Sequence, residues 1–269
     1  MNGELRHSLQ REGKYSLFEK ENFHTIAVFL KKKGVRVSFD LMIQMFSVSK
    51  TYPSQITALS DLYLEVTAGE FVFIAGPSGS GKSSLLRILF GAEKPSSGEV
   101  IVNGIRLTHP SFKKVYQLRR TMGIISPDFK LLRDRNVKEN IAFALEVTGH
   151  PPKEIREKVS ETLRQMGLQE REKDSILSLS AGEQQRVAIA RALVKKSSLI
   201  LADEPTGILD DEMTGKVMEI FSELHQKGTT IVFATQDANL IQRHPYRVIP
   251  LMAGKRGDAE SNEEVRSEG

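Results

Sequence analysis

Hydrophobic residues alternate with polar ones in two early stretches of the chain. Met42–Lys50 and Leu59–Val66 show the two-residue period of strands that bury one face. Glu70–Ala75 is short and almost entirely apolar, which is typical of a strand buried on both faces. Turn residues at Tyr52–Ser54 and Ala68–Gly69 separate the three runs. The pattern therefore predicts three strands between residues 42 and 75.

Later in the chain, apolar residues recur at three- and four-residue steps that predict helices, and short apolar runs between them predict strands. Residues 130–177 have the helical spacing over most of their length and are predicted to be a helical insert. The other predicted helices are 81–90, 113–120, 181–195 and 211–227, and the other predicted strands are 99–102, 122–125, 198–203, 229–234 and 246–251. Strands that alternate with helices indicate an α/β fold.

The two ends of the chain depart from this pattern. Residues 1–41 are polar, dense in charge and without clear periodicity, so we predict an N-terminal extension, with Met42 as a candidate true start. A disordered basic tail that touches anionic lipid is the alternative. Residues 253–269 are also polar and are predicted to be a disordered tail. The folded domain is thus expected to span residues 42–252.

Composition narrows the classes of function. The chain has 269 residues and no cysteine, so it can hold neither a disulfide framework nor a thiolate metal site. We find no apolar run near 18 residues and therefore expect a cytoplasmic protein. The net charge is +4, and residues 1–41 account for +3 of it, with eight Lys and Arg against five Asp and Glu. The remaining chain is close to neutral, so direct nucleic-acid binding is not expected.

The most informative stretch is a glycine-rich loop between the third predicted strand and helix 81–90. It reads G-P-S-G-S-G-K-S, the pattern of a phosphate-binding loop in the strand–loop–helix setting that such a loop requires. Backbone N–H groups and the helix N-terminus attract phosphate, Lys82 would reach the β- and γ-phosphates, and Ser83 would ligate Mg²⁺. A flexible Gly/Ser loop is the alternative. The predicted phosphate-binding residues are Gly76, Pro77, Ser78, Gly79, Ser80, Gly81, Lys82, Ser83 and Ser84.

Two acidic residues end the apolar run Ser198–Ala202. Asp203 stands at the C-terminal tip of that predicted strand, where a phosphate loop needs a carboxylate to hold Mg²⁺. Glu204 points the other way along the pleat and could polarise a water molecule in line with the γ-phosphate. An acidic turn that caps the next helix is the alternative.

A second motif follows the helical insert. Ser180 and Glu183 have the spacing of a plain capping box, which is one interpretation. However, the segment LSAGEQQRVAIARAL, upstream of LILADEPTG, resembles the signature motif of ABC-type ATPases. In that family two nucleotide domains dimerise head to tail, and each signature contacts the ATP that the partner's phosphate loop holds. The resemblance implies that Ser180, Gly182 and Glu183 bind nucleotide across a homodimer.

The resemblance covers about residues 42–252 and carries further expectations. It implies a P-loop NTPase fold with a mixed parallel sheet core, an N-terminal antiparallel β subdomain and a helical subdomain at about 128–178. It also implies ATP and Mg²⁺ as cofactors, with Ser83 and Asp203 at the metal. Tyr52 matches the aromatic residue that stacks on adenine, although a turn tyrosine without a ligand is the alternative. Asp210 matches a loop that crosses the dimer interface.

Three positions depart from the family pattern. Ala181 replaces a glycine after the signature serine, and we expect tolerance if its φ stays negative. Pro127 stands where the family has a glutamine that senses Mg²⁺ and the attacking water, and proline has no side-chain donor or acceptor. Gln236 replaces a histidine; its amide can still donate to a γ-phosphate oxygen but cannot become cationic. With Glu204 and Lys82 in place, we predict hydrolysis that is slow rather than absent.

Within the family, EQQRVAIARALV and the opening KTYP…ALSDLYLEV most resemble the FtsE-type cell-division ATPases. The resemblance implies a location on the cytoplasmic face of the membrane and an integral membrane partner of the FtsX type. That partner would dock in a groove lined by Pro127, Asp128, Phe129, Leu131 and Leu132, although core packing is the alternative for the last three. Other interpretations are a dimerising switch with little turnover, a lipoprotein-release or macrolide-efflux ATPase, and a soluble ABC protein acting on DNA or ribosomes.

Overall fold

The computed structural model describes residues 41–108 and 115–257. The predicted extension, apart from Leu41, and residues 258–269 of the predicted tail lie outside this part of the chain. The strands are β1 (Leu41–Thr51), β2 (Thr57–Thr67), β3 (Phe71–Ala75), β4 (Ser97–Val102), β5 (Ile105–Arg106), β6 (Met122–Ile125), β7 (Leu199–Asp203), β8 (Thr230–Thr235), β9 (Arg247–Met252) and β10 (Lys255–Arg256). The α-helices are α1 (Lys82–Leu89), α2 (Val115–Arg120), α3 (Val137–Glu146), α4 (Pro152–Gln165), α5 (Ala181–Leu193), α6 (Asp211–Gln226) and α7 (Ala238–Arg243).

These strands form two sheets. A four-stranded sheet has the order β2-β1-β4-β5, and all its pairs are antiparallel. A six-stranded sheet has the order β10-β9-β3-β8-β7-β6, in which every pair is parallel except the terminal hairpin of β9 and β10. The mixed parallel core and the antiparallel β subdomain are therefore confirmed.

The parallel sheet is buried on both faces, which explains its nearly continuous apolar strands. In β3, Phe71 and Phe73 pack into one core cluster with α3, α4, α5 and α6, whereas Val72 and Ile74 pack into a second cluster with α1 and the antiparallel sheet. Strands β7 and β8 divide their side chains in the same way. This arrangement places the C-terminal ends of β3, β7 and β8 side by side at one edge, where ligands bind in such sheets.

The helical insert contains less helix than its apolar spacing predicts. Residues 126–136 are not helical, and α3 begins only at Val137, where Asn136 forms a capping box with Glu139. Phe129 and Lys130 have φ values of 59° and 49°, which are incompatible with a right-handed helix. Two short 3₁₀ turns, Gln169–Arg171 and Ile176–Ser178, replace the helix predicted after α4.

The C-terminal end of the domain also differs from the prediction. Residues 253–257 are not a disordered tail, because Lys255–Arg256 forms β10 and pairs with β9. Gly254 turns the hairpin at φ +77° and packs closely, with a hypothetical Cβ only 2.6 Å from the Ala58 carbonyl oxygen. The polar composition of residues 253–257 did not predict this hairpin, because its two strands are joined by backbone groups, which every residue type can supply. The short elements α7 and β5 were likewise not predicted.

Among the described residues, no helix is both long and apolar enough to cross a membrane.

Candidate nucleotide site

The glycine loop lies between β3 and α1, as its pattern predicts. Its two framing glycines approach other strands so closely that no side chain fits. A Cβ on Gly76 would lie 2.3 Å from the Leu251 carbonyl oxygen, and a Cβ on Gly81 would lie 2.2 Å from the Ala58 carbonyl oxygen. Gly81 also has φ +105°, a conformation that favours glycine. The loop is therefore packed closely between β9 and β2, and its role in phosphate binding stays a prediction.

Lys82 points back into this loop. Its side chain is only 6% exposed, and Nζ donates to the carbonyl oxygens of Gly76 at 2.6 Å and Pro77 at 3.0 Å. Nζ also lies 3.6 Å from Oε1 of Glu204. The structure thus places the predicted phosphate-binding cation and the predicted base side by side, although they are far apart in sequence.

Asp203 and Ser83 meet at the same edge of the sheet. The Ser83 side chain lies close enough to the Asp203 carboxylate to favour its ionised form. Burial raises the pKa of Asp203, and this exceeds the lowering by Ser83 and by the charge of Lys82. Oδ1 of Asp203 is buried and has no hydrogen-bond partner in the described part of the chain. A hydroxyl and an unsatisfied carboxylate oxygen are ligands that Mg²⁺ accepts beside phosphate, so these two residues fit the metal.

We expect Asp203→Asn to stabilise the nucleotide-free protein at pH 7 by about 2–4 °C in melting temperature, the shift that roughly 1 kcal/mol gives at this size. A carboxyl whose folded-state pKa is raised destabilises the fold when ionised, and the amide cannot ionise. The difference between the two proteins should shrink as the pH falls through the raised pKa of Asp203. Thermal melts over a pH series measure this. Equal melting temperatures at pH 7 would contradict the assigned burial cost.

Glu204 occupies a strained backbone position directly after β7. Its φ is +46°, in the left-handed region that few non-glycine residues adopt, and its N–H donates to the Ala234 carbonyl oxygen at 2.9 Å. The Thr235 hydroxyl donates to Oε2 at 3.0 Å, while Oε1 faces Lys82. Burial raises the pKa of Glu204 despite these partners. A carboxylate that is held by two neighbours and is more basic than usual suits a general base.

Gln236 and Pro127 are both exposed on loops that leave the parallel sheet. Gln236 follows the last residue of β8, and the next residue, Asp237, caps α7 by accepting a hydrogen bond from Leu240 N at 3.0 Å. Pro127 lies two residues after β6, between Ser126 and Asp128, whose side chains are hydrogen-bonded to each other. Their predicted roles as altered sensors of the γ-phosphate stay predictions.

Tyr52 lies just after β1, and its hydroxyl reaches helix α1. The hydroxyl oxygen is 3.0 Å from Ser84 Oγ, and it donates to Oε2 of Glu93 at 2.7 Å. The ring of the predicted adenine-stacking residue is therefore connected to the helix that follows the phosphate loop. Sequence reasoning named Ser84 only as part of the loop and missed Glu93, because nothing near position 93 marks it as a neighbour of Tyr52.

The signature residues form a separate cluster at the start of α5. Ser180 and Glu183 form a full capping box, with Oε2 of Glu183 accepting from Ser180 N at 2.9 Å and from Ser180 Oγ at 2.8 Å. Arg171 Nε lies 3.3 Å from the other carboxylate oxygen of Glu183. Ala181 is the first residue of α5 and does not have a positive φ, so the condition for its predicted tolerance is met, and Gly182 follows it. Among the described residues, no hydrogen bond or ion pair joins this cluster to the phosphate loop.

The segment after β7 links the signature helix to the predicted metal site. The buried Gln185 of α5 donates to the Pro205 carbonyl oxygen at 2.6 Å. Further along, Ile208 is 52% exposed, and Asp210 caps α6 by accepting from Met213 N at 2.7 Å. The cap is a structural role for Asp210 that the sequence analysis did not name. Its predicted role at a dimer interface stays a prediction.

Two further residues shape the loop that precedes α3. Arg191 of α5 donates to the carbonyl oxygens of Phe129 at 2.8 Å and Lys130 at 2.7 Å, the two residues with positive φ. Asn140 is fully buried and binds this loop through Leu132 N, Leu132 O and Arg135 O. Both were missed, since a buried polar residue inside a helix has no signature in the sequence. Phe129, Leu131 and Leu132 are half-buried rather than fully packed in the core.

The strand–loop–helix geometry and the two acids at the end of β7, Asp203 and Glu204, define the chain as a P-loop nucleotide-binding protein. The sequence profile of the ABC transporter family matches residues 59–207. The chain belongs to this family.

Individual proteins of known name are similar to most of this chain. The cell division ATP-binding protein FtsE of Escherichia coli K12 is 42% identical over 213 residues, which cover 79% of this chain and 96% of FtsE. FtsE of Mycobacterium tuberculosis is 41% identical over 80% of this chain and 94% of its own. Among solved structures, the dimeric ATP-binding cassette MJ0796 bound to ADP and Pi has 34% identity and a TM-score of 0.76, covering 81% of this chain and 97% of that one.

Proposed function

We propose that this protein is the ATP-binding and ATP-hydrolysing subunit of an ABC complex that acts in cell division. The observation that carries the proposal is the convergence of Lys82, the Ser83–Asp203 pair and Glu204 at one edge of the parallel sheet. Similarity to FtsE supports the setting in cell division. Bound Mg²⁺ would neutralise charge on the phosphates; Lys82 would hold the β- and γ-phosphates, and Glu204 would accept a proton from the attacking water.

We also propose that ATP closes a homodimer. MJ0796 was solved as a dimer in a post-hydrolysis state, which supports this step. Ser180 and Gly182 would then contact the γ-phosphate held by the other copy, with the backbone N–H of Glu183 facing the same phosphate. In the single chain the Ser180 donors are occupied by Glu183, so the Glu183 carboxylate would have to turn away, and Arg171 already lies beside it. Asp210 and the exposed Ile208 would face the second copy.

The proposed membrane partner is an integral protein of the FtsX type, bound at the cytoplasmic face. We place its docking site at Pro127, Asp128, Phe129, Leu131 and Leu132, the residues of the loop that precedes α3. Arg191 and Asn140 hold the backbone of this loop in one arrangement without regular secondary structure, and Leu131 packs partly against the core. A pre-organised loop binds at a lower ordering cost than a flexible one.

A second candidate is an ATP-dependent dimerising switch with little turnover. Pro127 and Gln236 favour it, because both replace residues that position the γ-phosphate or the attacking water in the family. Removing one positioned transition-state donor lowers rates by about 10²–10³. Glu204 and Lys82 favour ATP hydrolysis. From these opposing features we infer that turnover is slow.

We expect Gln236→His to raise steady-state ATP hydrolysis by about tenfold or more, since a histidine can supply a cationic donor to the γ-phosphate. Phosphate release by residues 42–269 would be measured beside ATP-driven dimerisation in the same samples. Asn239→His is the matched control, because Asn239 is an exposed amide on α7 close to the same loop.

Turnover in the wild type that rises only in Gln236→His supports a slowed ATPase. Dimerisation without turnover in any sample supports the switch. If neither ATP binding nor dimerisation occurs, the proposed function is wrong. A wild-type rate equal to that of an ordinary transporter ATPase would contradict the proposed slowing.

A further inference from the structure

The hydroxyl of Tyr52 is held by neighbours outside its own strand. It donates to Glu93 and lies within hydrogen-bond distance of Ser84, the third residue of α1. The backbone of Tyr52 is fixed separately by a turn, because its N–H donates to Ile56 O and its carbonyl accepts from Gln55 N, both at 2.9 Å. Both ends of this side chain are therefore restrained.

Glu93 is in turn held by cations. Lys50 Nζ lies 3.4 Å from Oε2 of Glu93, and Arg87 Nη1 lies 3.5 Å from Oε1. Lys50 also donates to the Lys94 carbonyl oxygen at 2.8 Å and lies 5.0 Å from the centroid of the Tyr52 ring. Burial alone would raise the pKa of Glu93, but the hydrogen bond from Tyr52 and the charge of Lys50 lower it below its usual value. Glu93 is thus a fixed anion at neutral pH.

We propose that Glu93 is a positioning residue for the nucleotide base: it holds the Tyr52 ring in the orientation that stacks on adenine, and Ser84 ties that ring to the phosphate-loop helix. The inference rests on the proposed ATP binding and adds a residue to it. A tyrosine without these bonds samples several rotamers, and ordering it on binding lowers affinity. Removal of the Glu93 side chain should therefore weaken binding of the adenine base and leave binding of the phosphates unchanged.

The test separates base from phosphate by titrating Mg-ATP and Mg-tripolyphosphate, which has no base, into the full chain by calorimetry. We expect Glu93→Ala and Tyr52→Phe each to weaken ATP binding by about 3- to 10-fold and to leave tripolyphosphate binding unchanged within about twofold. Glu93→Gln keeps an acceptor for the Tyr52 hydroxyl and should lose less. Because Tyr52→Phe already removes the bond to Glu93, the double variant Tyr52→Phe/Glu93→Ala should bind ATP no more weakly than Tyr52→Phe alone.

Glu223→Ala is the matched control, because this carboxylate lies on α6 and pairs with Lys227 at 3.5 Å. It should change neither titration. Equal losses for ATP and tripolyphosphate in Glu93→Ala would show an effect through α1 and the phosphate loop, and would overturn the proposal. Unchanged ATP affinity in Glu93→Ala would overturn it as well. If the wild type binds neither ligand, the proposed function itself is wrong. If it binds both ligands equally, only the proposed stacking of adenine on Tyr52 is wrong.

Discussion

Glu204→Gln should lower steady-state ATP hydrolysis by about 10²–10⁴, the range that removal of a positioned general base gives. The amide has nearly the same shape as the carboxylate and can still accept the hydrogen bond that Thr235 donates at 3.0 Å. It cannot accept a proton from water at neutral pH. The loss should therefore fall on the chemical step, while the left-handed backbone at residue 204 is retained.

ATP binding should survive in Glu204→Gln, and the ATP-bound dimer should accumulate because it no longer turns over. The ion pair between Glu204 and Lys82 is lost, which leaves the Lys82 ammonium more available for phosphate. Phosphate release measures the first effect, and size-exclusion chromatography with light scattering in ATP measures the second.

The matched control for Glu204→Gln is Glu212→Gln. Glu212 is an exposed carboxylate in the first turn of α6 that pairs with Lys216 at 2.6 Å. Its hydrolysis rate should equal that of the wild type. Unchanged turnover in Glu204→Gln would contradict the base assignment, and loss of both turnover and ATP binding would point to a damaged site instead.

Gly81→Ala should weaken ATP binding by more than about 100-fold and should lower stability by several kcal/mol. Two separate physical costs combine. The φ of +105° disfavours any residue with a Cβ, at about 1–2 kcal/mol. In addition, the methyl group would lie 2.2 Å from the Ala58 carbonyl oxygen and 3.1 Å from Leu59 Cδ2, so β2 or the loop must move.

Gly79→Ala separates these two costs. Gly79 lies in the same loop and also has a positive φ of +80°, but no atom of residues 41–108 or 115–257 lies within 4 Å of its hypothetical Cβ. It should lose only the conformational term, about 1–2 kcal/mol, and should keep most of its ATP affinity. Chemical denaturation and nucleotide titration of both variants test the comparison. Equal effects at the two glycines would show that the close approach of Gly81 to Ala58 does not matter.

Most of the regular elements could be predicted from local periodicity. The strand predicted at 122–125 matches β6, and the helix predicted at 211–227 matches α6 within one residue. The helical insert was predicted least well, because apolar residues such as Leu131 continue the helical spacing through a loop that is not helical. There the side chains of Arg191 and Asn140 bind the backbone instead of helical hydrogen bonds, and Arg191 is 61 residues from Lys130, which it holds.

The candidate site was also predicted in part. Lys82, Ser83, Asp203 and Glu204 were named from two motifs, since each motif is a short stretch whose chemistry depends on neighbours in sequence. Thr235 as a partner of Glu204 was missed, because 31 residues separate the two. The same holds for Glu93 beside Tyr52, and for Arg171 beside Glu183.

The residue order alone indicates the α/β class, the phosphate loop and the signature helix, because strand and helix periods, glycine spacing and capping are set by residues a few positions apart. Packing between distant segments determines the rest. It packs Gly81 and Gly254 against Ala58, leaves Asp203 Oδ1 without a hydrogen-bond partner among the described residues, and brings the Tyr52 hydroxyl to Glu93. These contacts form only where the folded sheets bring distant strands and loops together, so no local pattern encodes them.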